Sequence, residues 1–185
     1  QKLVNKGDNL SFRYTGYIAE NEESKRRTLI GGLALMLALY ALLAIPFRSL
    51  IQPIFVLLAV PFGIIGALLG HIIMDIEPSY LSIFGMLALA GVVVNDSLVM
   101  VDFINKRREE GMPLKQAILE AGSKRFRPIL LTSITTFAGL MPLIFDRSIQ
   151  AQFLIPMAVS LGFGILFATG ITLYLIPSAY KISED

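Results

Sequence analysis

Five apolar runs, at 28–45, 53–74, 80–104, 129–145 and 153–177, take up most of this 185-residue chain. Each is close to the ~20 residues with which an α-helix crosses roughly 30 Å of hydrocarbon. A soluble fold would have to bury all five. With 55% hydrophobic and only 16% charged residues, the rest of the chain holds almost no polar helices to cover them. The expected fold is therefore all-α, a polytopic membrane bundle of five transmembrane helices. Absence of cysteine removes disulfides, Cys-ligated zinc and thiol catalysis. The net charge of +2 says little about partners, because in such a chain the placement of the basic residues matters more.

That placement sets the expected orientation. The connection 105–128 holds Lys106, Arg107, Arg108, Lys115, Lys124, Arg125 and Arg127, whereas the connections near Asp75 and Asp146 hold only Arg147. Basic loops stay in the cytoplasm, so this loop, the 47–52 turn and the C-terminal tail are expected inside and the N-terminal segment outside. Lys25, Arg26 and Arg27 conflict with that rule, but long extracytoplasmic domains translocate largely regardless of charge. Residues 1–27 accordingly read as the end of a large outer domain and 28–185 as the membrane domain. The chain opens on a glutamine with no hydrophobic signal core, and it reads as a fragment. Within the basic loop, Pro113 suits a first helical turn, and Leu114, Ala117, Ile118 and Ala121 fall at i, i+3, i+4 and i+7. The expectation is a short cytoplasmic interfacial helix at 113–124, with Lys115, Lys124 and Arg125 near lipid phosphates, and Pro128 opening the fourth span.

Small residues mark helix contacts. Ala59, Gly63, Gly66 and Gly70 recur at three- and four-residue spacing in the second run, a face that lets backbones approach closely. Pro61, Pro142 and Pro156 are expected to kink or start helices.

The third run reads AGVVVNDSLVMVDF, and its Asn95 and Asp96 interrupt an otherwise apolar helix. An ionisable side chain at membrane depth costs at least ~3 kcal/mol on insertion scales, so Asp96 is expected to face the bundle interior and to be used there. Asp102, nearer the basic end, can reach Lys106 at i+4 and reads as an interfacial ion pair. In the fourth run Thr132, Thr135, Thr136 and Gly139 form one polar and small stripe. Thr135 is expected to bond back to its own helix; Thr132 is the better functional candidate. His71 reads as an interfacial histidine rather than a relay or metal residue. No acidic pair or second histidine stands at metal-ligand spacing, and no GxxxxGK[ST] loop points to ATP. VNDS stands where an intramembrane aspartyl protease would carry GxGD, and nucleic acid is not an expected partner.

Together, GMLALAGVVVNDSLVMVDFIN, RFRPILLTSITTFAGLMPLIF and GFGILFATGITLYLIPSAY resemble the C-terminal half of resistance-nodulation-division (RND) inner-membrane efflux transporters of bacteria. The resemblance covers essentially the whole chain. It implies the eighth to twelfth of twelve helices, with 1–27 a remnant of the second periplasmic domain. It also implies a secondary active transporter rather than an enzyme, with protons as coupling ion and no cofactor. Hydrophobic or amphiphilic compounds would be exported by proton antiport. The implied partners are the N-terminal half of the same transporter, two further copies in a homotrimer, a periplasmic adaptor, an outer-membrane channel and the lipid membrane. By the same resemblance Arg125, at the cytoplasmic mouth, and Thr132, beside the relay, match positions that assist proton coupling; with Asn95 and Asp96 they make up the candidate relay, and Thr136 and Asp102, by their own positions, are secondary candidates.

One departure stands out. The drug exporters carry a lysine where this chain has Asn95 and an asparagine where it has Asp96, and that lysine pairs with two aspartates on the fourth helix. Here the cation is replaced and an acid stands one residue on. The expected relay therefore has Asp96 gaining and losing a proton in each cycle, with Thr132 stabilising one state. Apolar burial disfavours the charged form and hydroxyl donors or a cation favour it, so protonation is linked to helix movement. Lipid or protein export by the same superfamily is the alternative within this class. A purely structural or partner-binding membrane module is the alternative outside it, and it would tolerate Asp96→Asn.

Overall fold

The computed structural model describes residues 4–47 and 49–182, with side chains over 23–47 and 49–178. Its elements are α1 (Val4–Phe47), α2 (Gln52–Leu57), α3 (Ala59–Met74), α4 (Tyr80–Glu109), α5 (Leu114–Ile144) and α6 (Ile149–Ile182). Among the described residues five stretches are long and apolar enough to cross a membrane: Glu23–Phe47, Gln52–Met74, Tyr80–Glu109, Leu114–Ile144 and Ile149–Ser178. The chain is thus an all-α, multi-pass membrane protein, and no strand occurs among the described residues. It divides into two compact units, 1–38 and 39–185. Among the described side chains of the first, Arg27 pairs with Glu23 at 2.7 Å on successive turns.

Three boundaries follow from identifiable residues. The second span is two helices, interrupted at Leu58. Pro61 has no N–H to give to the Leu57 carbonyl four residues back, so the ladder breaks there and resumes at Ala59. α3 then ends on Asp75, whose φ of 53° is left-handed, with the Ile76 N–H returning to the His71 carbonyl at 3.1 Å. α4 runs past the expected end at 104 to Glu109, because the Asp102–Lys106 pair and three basic residues in its last turn favour a helix C-terminus. Gly111, with φ of 86°, turns the chain.

The segment 113–124 is helical, but it does not stand apart. It continues through Pro128 into the fourth span as one helix, α5. A proline inside a helix removes one donor, here to the Lys124 carbonyl; one turn further on, the Thr132 hydroxyl is shared between the Pro128 and Ile129 carbonyls at 3.1 and 2.8 Å.

α6 is the element against which α3, α4 and α5 all pack. The small face of α3 meets it as the spacing predicts. A Cβ at Gly66 would strike Phe167, one at Gly70 would strike Phe163, and one at Gly63 would lie 3.1 Å from Leu89 and 3.3 Å from Ala168. Leu89 of α4 in turn occupies the notch left by Gly164 of α6, among Ala59, Ala67, Val93, Ile165 and Ala168. Apolar packing of this kind replaces the hydrophobic effect as the force between helices in lipid.

Polar pins join the same elements. The Ser133 and Thr169 hydroxyls bond at 2.6 Å between α5 and α6. Gln52 and Asn105 exchange two amide bonds, at 3.2 and 2.9 Å, between α2 and α4. His71, read from sequence as interfacial, is only 3% exposed. Its Nδ1 lies 3.0 Å from the Ile76 carbonyl, which can only accept, so Nδ1 donates and Nε2 accepts from Ser160 Oγ at 2.9 Å. His71→Ala would orphan a buried hydroxyl and a carbonyl, at roughly 1–3 kcal/mol each. The expected result is a clearly lower thermal midpoint in detergent, partly recovered by His71→Gln. An unchanged midpoint would show the two bonds to be dispensable.

Candidate functional site

The interruption in α4 distributes its three polar residues around the helix. Asn95 is exposed, Asp96 half-buried and Ser97 buried, with Ser97 Oγ donating to the Val93 carbonyl at 2.7 Å. Among the described residues Asp96 makes no hydrogen bond or ion pair. Ala88, Gly91 and Asn95 are exposed at i, i+3 and i+7, and a Cβ at Gly91 would meet nothing within 4 Å. This side of α4 is uncovered by the other described helices of its unit.

α5 leaves a comparable side open. Thr132, Thr135 and Gly139 are exposed and Thr136 partly so. All three threonines bond to their own helix: Thr132 as described, Thr135 to the Leu131 carbonyl at 2.8 Å, and Thr136 to the Thr132 carbonyl at 2.8 Å. The self-bonding expected for Thr135 thus extends to Thr132 and Thr136. Their oxygens remain able to accept a further bond.

α4 and α5 are joined by residues 110–113 and run antiparallel. Their register is fixed by Phe103, whose ring centroid lies 5.0 Å from Arg125 Cζ. Seven residues back along α4 is Asp96, and seven forward along α5 is Thr132. Seven residues are about two turns and ~10.5 Å of rise, on nearly the same helix face. Asp96 and Thr132 therefore stand at matching heights, two turns above the Phe103–Arg125 contact. No hydrogen bond joins them.

The basic end is organised by charge. Arg107 Cζ also lies over the Phe103 ring, at 5.2 Å, and its guanidinium bonds Glu110 at 2.6 Å and Glu120 at 3.1 Å. Glu120 holds Lys124 as well, at 2.6 Å. Arg125 has no ion pair among the described residues, and its buried Nε has no hydrogen-bond partner. Asp102 is paired with Lys106 at 2.8 Å on the exposed surface, as its spacing indicates. Sequence reasoning passed over Phe103, whose role comes from its cross-helix neighbours, and the buried hydroxyls of Ser133, Thr169 and Thr172, which read as ordinary residues of greasy helices. No group of three or more His, Cys, Asp or Glu able to hold a metal occurs among the described residues.

A family model described as the AcrB/AcrD/AcrF family matches residues 2–184. The swarming motility protein SwrC of Bacillus subtilis (strain 168) is 33% identical over 98% of this chain, which corresponds to 18% of that protein. The multidrug resistance protein MdtC of Erwinia amylovora is 30% identical over 92% of the chain and 16% of its own length. Among solved structures, two crystal forms of a heavy metal efflux pump superpose with TM-scores of 0.71 and 0.67, at 26% and 30% identity. They cover 81% and 72% of this chain and 15% and 14% of the pump. The chain thus spans less than a fifth of the length of the relatives it matches. With nearly every residue inside the family match, and with the apolar helices such a match requires, the chain belongs to the AcrB/AcrD/AcrF family of RND transporters.

Proposed function

We propose that this chain forms the C-terminal membrane helices of a proton-driven exporter of the bacterial inner membrane, one that moves hydrophobic or amphiphilic compounds outward in exchange for protons. The observation that carries the reading is Asp96, a carboxyl group in the middle of an apolar span with no partner among the described residues, level with Thr132 and beside an uncovered small-residue face. A structural module has no need of such a group, whose insertion alone costs at least ~3 kcal/mol. The open faces of α4 and α5 would be closed by the N-terminal half of the same transporter. The basic end would lie in the cytoplasm, and a homotrimer, a periplasmic adaptor and an outer-membrane channel would complete the assembly. A proton falling through ~100 mV supplies ~2.3 kcal/mol, apart from any pH gradient.

Inverted vesicles carrying the full-length transporter test this. An acid-interior gradient is expected to drive accumulation of a lipophilic fluorescent dye, and a protonophore to collapse it. Accumulation that persists after the protonophore would exclude proton coupling. A second reading is suggested by the likeness to a heavy metal efflux pump, in which the cargo is a metal ion. Gradient-driven uptake of divalent or monovalent transition-metal ions without dye uptake would establish that reading instead.

A further inference from the structure

Two arginines of different helices share the ring of Phe103, Arg107 of α4 at 5.2 Å and Arg125 of α5 at 5.0 Å. The two cations are held differently. Arg107 is fixed by Glu110 and Glu120, and Glu120 is itself fixed by Lys124. Both arginines leave a buried Nε unbonded, but Arg125 has no carboxylate among the described residues, so the ring face is what restrains its guanidinium. The ring also lies on the face of α4 that carries Asp96, two turns away.

We propose that Phe103 is a positioning residue of the transport cycle, its ring holding the Arg125 guanidinium at the basic end of the Asp96 face and so setting the rate at which a proton leaves Asp96 in that direction. This rests on the relay reading of Asp96 given above. The step is a proton transfer alone. The O–H bond of the Asp96 acid breaks, its electron pair stays on the carboxylate, and the proton passes to water at the basic end. Arg125 keeps its own proton throughout and acts by its fixed charge. The other charged groups around the ring, Arg107, Glu110, Glu120 and Lys124, are already paired with one another, which leaves Arg125 as the free charge that the ring orients.

The test replaces Phe103 in the full-length transporter by mono-, di- and trifluorinated phenylalanine through nonsense suppression. Fluorine drains the ring face of electron density with little change of shape, so folding is spared while cation attraction weakens. Proton release from vesicles under a fixed gradient, read by a pH-sensitive dye, is expected to slow stepwise, by roughly threefold to tenfold at trifluorophenylalanine. Phe103→Tyr is expected to stay close to wild type and Phe103→Leu to match the trifluorinated ring. A flat series while Asp96→Asn is inactive would overturn the role of Phe103 and leave the relay standing. Full coupling in Asp96→Asn would overturn both.

Discussion

Asp96→Asn, in the full-length transporter that carries these helices, is expected to assemble normally and to lose gradient-driven export and dye-reported proton movement together. Asparagine has nearly the shape of the aspartic acid it replaces, and among the described residues Asp96 makes no bond that the change would remove. The substitution also deletes an ionisable group from the hydrocarbon region, which relieves insertion rather than burdening it. Stability is therefore expected to hold or rise. What disappears is the capacity to take up and release a proton at mid-span, and positioned proton-transfer groups contribute on the order of a hundredfold to ten-thousandfold in rate. Export is accordingly expected to fall by roughly two orders of magnitude or more. Asp96→Glu, which keeps the acid one methylene further out, is expected to retain part of the coupling. Normal transport by Asp96→Asn would move the relay to carboxylates elsewhere in the transporter and leave Asp96 a polar contact.

How far the sequence alone could reach is visible in particular residues. Local spacing carries local facts. The five spans, the Asp102–Lys106 pair and the contact face of Gly63, Gly66 and Gly70 all depend on intervals of three, four or about twenty residues, and all were legible. Contacts between distant residues were not. His71 reads as interfacial because its partner Ser160 is 89 residues away and looks like any hydroxyl in a membrane helix. Phe103 reads as one more apolar residue until α5 brings Arg125 to its face. Prolines were legible only in kind. Pro61 interrupts the second span, whereas Pro128 lies inside a continuous α5, because packing against neighbouring helices, which local spacing does not reveal, decides whether a freed carbonyl ends a helix. The candidate site is intermediate. Asp96 announces itself by its cost, but its height relative to Thr132 emerges only from the Phe103–Arg125 register.

The second large effect separates the two kinds of glycine in these helices. Gly70→Leu is expected to abolish accumulation of folded protein, because even its Cβ would collide with the Cβ and ring of Phe163, and a Cβ is fixed to its backbone and cannot rotate away. α3 and α6 must then separate along the contact on which Gly63, Gly66, Phe167 and Ala168 also depend. Overpacking a tight interface costs typically 1–3 kcal/mol, and here roughly 3 kcal/mol or more, since no soft side-chain tip absorbs the strain. At Gly91 a Cβ meets nothing within 4 Å among the described residues, so in Gly91→Leu the chain's own helices are expected to fold as before. If the uncovered face of α4 receives the N-terminal half, however, the full-length Gly91→Leu protein is expected to reach the membrane in normal amount and lose coupling. Equal loss of folded protein in both variants, measured by fluorescence-detected size exclusion and thermal midpoint, would show that no such distinction exists. A fully active Gly91→Leu would show that no helix packs closely there and would remove the docking of the other half onto the Asn95 side of α4.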